Sequence, residues 1–246
     1  MGHQFGANHT YTYSNEGSGA NLEPGSGSTI MGYAGITGST DVQDHSDDYF
    51  HAASIAQVTN YIKTGFGNTC GAVTESSNPA PVVSQAKNYT IPKSTPFELK
   101  GRASDENDGN SALTYMWEQI DQYVSGKSNT FPKATSKEGP LFRSIKYSSN
   151  PVRTFPDLAT ILSGQLTNKW EALPSVERTM NFRVTVWDNH PGSGANSSSD
   201  NAITVDAGAG PFKVTSQNGG ADLWTAGTTK TITWDVANTD GGNLNC

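Results

Sequence analysis

Cysteine is almost absent from this chain: there are two in 246 residues. Cys70 and Cys246 therefore make no disulfide framework, and each is either a free thiol or half of a bridge to a partner outside the chain. Charge is scarce as well, at 16% of residues, and no run of Lys or Arg stands out, which excludes a nucleic-acid-binding surface. The net charge of −7 favours solubility and says little about substrate. No apolar run is long enough to span a bilayer. Met1-Gly2-His3-Gln4 has neither the basic start nor the apolar stretch of an export leader, which taken alone argues for the cytoplasm. Apolar residues make up only 34% of the chain, below the usual globular share.

What is abundant is Gly, Ser, Thr and Asn, a composition of strands and turns, together with five Trp, nine Tyr and nine Phe to fill cores. The length suits two domains and part of a third. Residues 1–74 form one unit: a histidine-containing stretch, a Gly/Ser/Asn loop, Thr29-Ile30-Met31-Gly32-Tyr33, and a helix with Phe50, Ala53, Val58, Tyr61 and Ile62 at helical spacing. Ser46-Asp47-Asp48 reads as its N-cap and acidic first turn, and Gly65 as its C-cap. A Ser/Asn/Pro linker follows. Residues 82–207 then turn to period two: Leu113, Tyr115 and Trp117 alternate with Thr114, Met116 and Glu118, and Met180, Phe182, Val184 and Val186 with Asn181, Arg183 and Thr185. Such runs, separated by turn clusters, predict an antiparallel β-sandwich with Trp117 and Trp187 in its core. Residues 121–175 are less regular and predict long loops. Residues 210–246, with strands expected at 212–214 and 231–236, are too few to close a core and read as the truncated start of a further sandwich.

The residues that carry chemistry lie at the start. His3-Gln4-Phe5-Gly6-Ala7-Asn8-His9 is an H-x-x-G-x-x-H, in which a glycine lets the chain leave a helix and return a second imidazole toward the first. Met31 follows 22 residues after His9, in Ser28-Thr29-Ile30-Met31-Gly32-Tyr33. Together these resemble the metzincin pattern H-E-x-x-H-x-x-G-x-x-H and its Met-turn. With Glu23-Pro24-Gly25-Ser26-Gly27-Ser28 and Asp48-Tyr49-Phe50-His51-Ala52-Ala53-Ser54, the first 72 residues look like the bacterial reprolysin-like metallopeptidases, secreted proteins whose catalytic domain is followed by immunoglobulin-like or fibronectin-like sandwiches.

The resemblance implies a multidomain fold: a partial α+β catalytic subdomain, a β-sandwich, and a truncated β domain. It implies a zinc endopeptidase acting on protein or peptide substrates through zinc-activated water, and an extracellular location. His3 and His9 would be metal ligands, Gly6 and Met31 would support them, and Tyr33 would bind the metal or stabilise an oxyanion. Met1 and Gly2 fall on the variable positions of H-E-x-x-H, so the first histidine and the general-base glutamate would precede Met1. Losing that glutamate removes a factor of about 10²–10⁴ or more, so this chain by itself is expected to be inactive, with Zn²⁺ bound weakly or not at all.

Other readings compete. A second reading makes the sandwich region the functional part of an extracellular binding or adhesion protein. His45 and His51 flank the helix start at a spacing that does not share one face, which favours structural roles, and His190, beside Pro191, is expected in solvent. Asp105-Glu106-Asn107-Asp108-Gly109-Asn110 offers oxygen ligands for Ca²⁺, with Asp200 and Asp206 as further donors, but it lacks the spacing of an EF-hand loop and reads better as a turn. The sequence sets no oligomeric state and no substrate preference.

Overall fold

A computed structural model describes residues 1–14, 16–84, 87–123, 131–219, 222–242 and 244; Cys246, and any bridge through it, lies outside them. The described chain is mostly sheet with few helices, a composition compatible with a β-sandwich. In chain order the strands are β1 (Val82–Val83), β2 (Tyr89–Pro92), β3 (Phe97–Lys100), β4 (Ala103–Ser104), β5 (Thr114–Gln119), β6 (Val152–Phe155), β7 (Arg178–Trp187), β8 (Asn196–Asp206), β9 (Lys213–Val214) and β10 (Trp234–Asp235). The two α-helices are α1 (Ala52–Lys63) and α2 (Leu158–Leu162).

The main sheet has the order β2-β8-β7-β5, antiparallel except where β2 runs parallel to β8. Period two does its work in β7: Met180, Phe182, Val184 and Val186 are all fully buried, because alternate side chains of a strand share one face. β3 and β6 pair antiparallel as a second layer, with Phe97 opposite Phe155. The layers meet through aromatic rings: Phe155 stacks on Phe97 and meets Phe182 edge-on, both with centroids 4.9 Å apart. Burying each such ring contributes about 1.5–3 kcal/mol. The irregular stretch is not peripheral: Leu141, Phe142, Ala172 and Leu173 enter this same core. Gln119 holds it there, its side-chain oxygen accepting the amides of Leu141 at 2.7 Å and Phe142 at 3.1 Å.

Three local expectations are corrected. The helix begins at Ala52, not at Ser46, with His51 as its N-cap. Asp47 and Asp48 are drawn away to Arg143 (3.0 Å) and Lys146 (2.7 Å), so they do not serve a first turn. On β5 the alternation places Met116 and Glu118 on the outer face, yet they are 2% and 0% exposed. That face is covered: Glu118 accepts the amide of Ala52 at 2.7 Å, so the start of α1 sits against the sheet. In the last unit the pairing is limited to Trp234–Asp235 with Lys213–Val214, and Trp224 and Trp234 are exposed.

Candidate metal centre

His3 lies in a short 3-10 helix, Gly2–Phe5, that ends at Gly6. Gly6 has φ +81°, a left-handed conformation that side chains disfavour, and a Cβ there would also press on Tyr61 of α1. The chain turns back through this residue: the amide of Gly6 donates to His3 and that of Ala7 to Gly2, both at 3.1 Å. Asn8 is tied to α1, its amide donating to Gln57 at 2.9 Å. His9 then returns alongside His3.

The two imidazoles meet with Nε2 atoms 3.1 Å apart and rings nearly perpendicular, at 84°. Their other nitrogens decide what this contact means. His3 Nδ1 lies 2.8 Å from the Ala7 carbonyl, and His9 Nδ1 lies 3.0 and 3.1 Å from the two carboxylate oxygens of Glu16. Both partners accept only, so each Nδ1 is the donor, and each neutral ring presents a lone pair at Nε2. Two lone pairs at this distance repel unless a proton or a cation lies between them. Zinc at a tetrahedral Zn–N length of about 2.0–2.1 Å sets two ligand nitrogens about 3.3 Å apart, so the donor set fits a zinc ion.

Met31 and Tyr33 are built into the same place. The amide of Thr10, next to His9, donates to the Met31 carbonyl at 3.1 Å. The buried Met31 sulfur lies so close to Gly2 that a Cβ at Gly2 would collide with it. The Tyr33 ring stands against the His9 ring with centroids 4.4 Å apart, and Tyr11 stacks on His9 at 5.0 Å. Of the residues singled out in the sequence, His3, Gly6, His9, Met31 and Tyr33 are thus gathered into one region.

Glu23 organises the turn below. Its buried carboxylate accepts the hydroxyl of Thr10 (2.5 Å), the amides of Ser28 (2.8 Å) and Thr29 (3.1 Å), and the Thr29 hydroxyl. Neither Glu16 nor Glu23 stands out in the sequence as a site residue. The available signal was that Glu16 is the lone acid between His9 and Glu23.

The remaining candidates lie elsewhere. His51 is buried; its Nδ1 accepts the Ala53 amide at 3.1 Å and its Nε2 faces Glu118 at 3.6 Å. His45 is exposed. His190 pairs with Asp108 at 2.9 Å, so it is not simply solvated. Asp108 joins Asp105 and Asp188 in a cluster whose ligand atoms lie within 4.8 Å of one another. Asp105 accepts the amides of Asn107 and Asp108, and Asp188 those of His190 and Ala195, so these carboxylates close turns. Asp200 pairs with Arg183 and Asp206 accepts the Gly208 amide; neither joins that cluster.

Comparison with known proteins bears on this N-terminal region. The family model described as Metallo-peptidase family M12B Reprolysin-like matches residues 1–62, about a quarter of the chain. No curated protein sequence matches. Among solved structures, the ASH/PapD-like domain of human CEP192 is similar at 11% identity, covering 55% of this chain and 92% of that one, with a TM-score of 0.27. So distant a likeness says nothing about activity.

Proposed function

We propose that this chain is part of a secreted zinc-dependent endopeptidase, contributing two metal ligands, His3 and His9, with Met31 beneath them. The observation that carries this reading is the convergence of two Nε2 lone pairs at 3.1 Å, each enforced by a hydrogen bond from the opposite ring nitrogen. The reprolysin-like match over residues 1–62 supports it. Zinc, when bound, supplies a Lewis acid and an activated water for attack on a peptide carbonyl. The chain's own residues do the holding: Gly6 turns the backbone so that both rings face one point, Glu23 braces the Met31 turn, and Tyr33 is the candidate donor to a developing oxyanion. The motif's first histidine and its glutamate are not among these 246 residues. Two imidazole ligands in place of three should hold zinc more weakly than a complete site.

In this reading residues 1–74 are the catalytic part, 82–207 a β-sandwich and 210–246 the first hairpin of a further one. Leu223, Trp224 and Trp234 of the last unit are exposed. Equilibrium dialysis against zinc tests the ligand assignment. Binding should be lost in His3→Ala and in His9→Ala and kept in His45→Ala and His190→Ala; zinc retained by the first two would refute it. A longer chain with His-Glu placed ahead of Met1 should cleave a denatured protein in a chelator-sensitive way.

A further inference from the structure

We infer that Glu16 is the positioning residue of this centre: its carboxylate holds the His9 imidazole in the Nδ1–H tautomer and in the orientation that aims Nε2 at the metal, and Tyr11 in turn holds Glu16. The inference rests on the reading of His3 and His9 as ligands.

The two rings are fixed by different means. His3 stands in a helical turn, and the carbonyl four residues on, that of Ala7, takes its Nδ1 proton at 2.8 Å. His9 lies beyond Gly6 in a non-helical segment, and its Nδ1 proton goes to Glu16, shared between the two carboxylate oxygens at 3.0 and 3.1 Å. Glu16 is carried by the Gly/Ser/Asn loop with its side chain 38% exposed, against 17% for His9, so it is not a core residue that happens to touch the ring.

Tyr11 supplies the second constraint. Its ring is buried and lies nearly parallel to that of His9, at 25°, while its hydroxyl donates to the same carboxylate. A single carboxylate thus accepts from His9 and Tyr11 at once, and the backbone between residues 9 and 11 fixes the spacing of those two donors. An ionised carboxylate has no proton to give, so the direction of both hydrogen bonds is set. Carboxylate partners of this kind orient a metal-binding imidazole and increase its basicity, and their removal typically weakens metal binding about 10–100-fold. Sequence motifs do not reveal the role because it depends on a loop folding back over seven residues.

The test uses the whole chain with ¹⁵N-labelled histidine. In the metal-free protein, long-range ¹H–¹⁵N spectra should show His9 as the Nδ1–H tautomer. Glu16→Ala should shift His9 toward the Nε2–H form while leaving His3 unchanged, and should weaken zinc, measured by competition with a chromophoric chelator, by about 10–100-fold. Glu16→Gln, which keeps an acceptor oxygen, should restore the tautomer and most of the affinity. Tyr11→Phe keeps the ring and should weaken zinc by a smaller factor than Glu16→Ala. A Glu16 that merely supported the loop would change His3 and His9 alike, and the glutamine variant would not rescue the tautomer. Unchanged His9 tautomer and zinc affinity in Glu16→Ala overturn the positioning role alone. A wild-type chain that binds no zinc overturns the ligand reading, and with it the metal role of Glu16, even where the tautomer still follows residue 16.

Discussion

Glu23 shows how much one buried side chain decides here. It is 1% exposed and accepts from Thr10, Ser28 and Thr29, which joins the segment after His9 to the turn that carries Met31. A buried donor left without its acceptor costs about 1–3 kcal/mol. Replacing Glu23 by Ala orphans several at once and should destabilise the chain by more than about 3 kcal/mol, read as a lowered denaturant midpoint. Glu23→Gln, which keeps one acceptor oxygen, should fall between. Equal stability of Glu23→Ala and wild type would mean that this turn does not depend on the carboxylate. The histidines, Gly6 and Met31 were legible because they stand at a recognisable spacing. Glu16 and Glu23 were not, since each acts through contacts made only after the loop closes.

At the scale of elements, α1 connects the candidate centre to the sheet. Its Tyr61 backs Gly6, Gln57 accepts the Asn8 amide, and its first amide, that of Ala52, is taken by Glu118 of β5. Helical spacing in the sequence announced α1 but misplaced its start by several residues. Acidic residues before a helix ordinarily mark the first turn, whereas Asp47 and Asp48 answer to Arg143 and Lys146, about a hundred residues away. Strands β5 and β7 were legible from alternation. The burial of Glu118 was not, because period two separates the faces of a strand without saying what covers the second one.

Glu118 also gives this element a pH dependence. Burial pushes its carboxyl up, and the His51, Ser144 and Ala52 groups that favour the charged form do not fully offset that. A folded value above the unfolded one means that its contribution is full below the unfolded value of about 4.3 and is lost as pH rises through the folded value. Glu118→Gln, which cannot ionise, should therefore gain stability relative to wild type as pH is raised from about 4 toward neutrality. Glu118→Ala should be less stable at every pH, with faster amide exchange in the first turn of α1. A wild-type-to-glutamine difference that stays constant with pH would contradict this assignment.

Across the whole molecule, residues 82–207 are tied by side chains to the segments that precede them. Arg143 reaches both Gln43 and Asp47 at 3.0 Å, and Asn78 donates to Asp188 at 2.7 Å and to the Ser193 carbonyl at 2.9 Å. These ties depend on side chains far apart in sequence, which composition does not reveal. No helix among the described residues is long and apolar enough to cross a membrane. The central claim concerns the one point on which His3 and His9 converge, and zinc titration of the ¹⁵N-histidine-labelled chain tests it most directly. The Nε2 resonances of His3 and His9 should shift together and saturate together, while those of His45, His51 and His190 stay in place. If zinc instead moves the resonances of other histidines, or moves only one of this pair, the two rings do not share a metal.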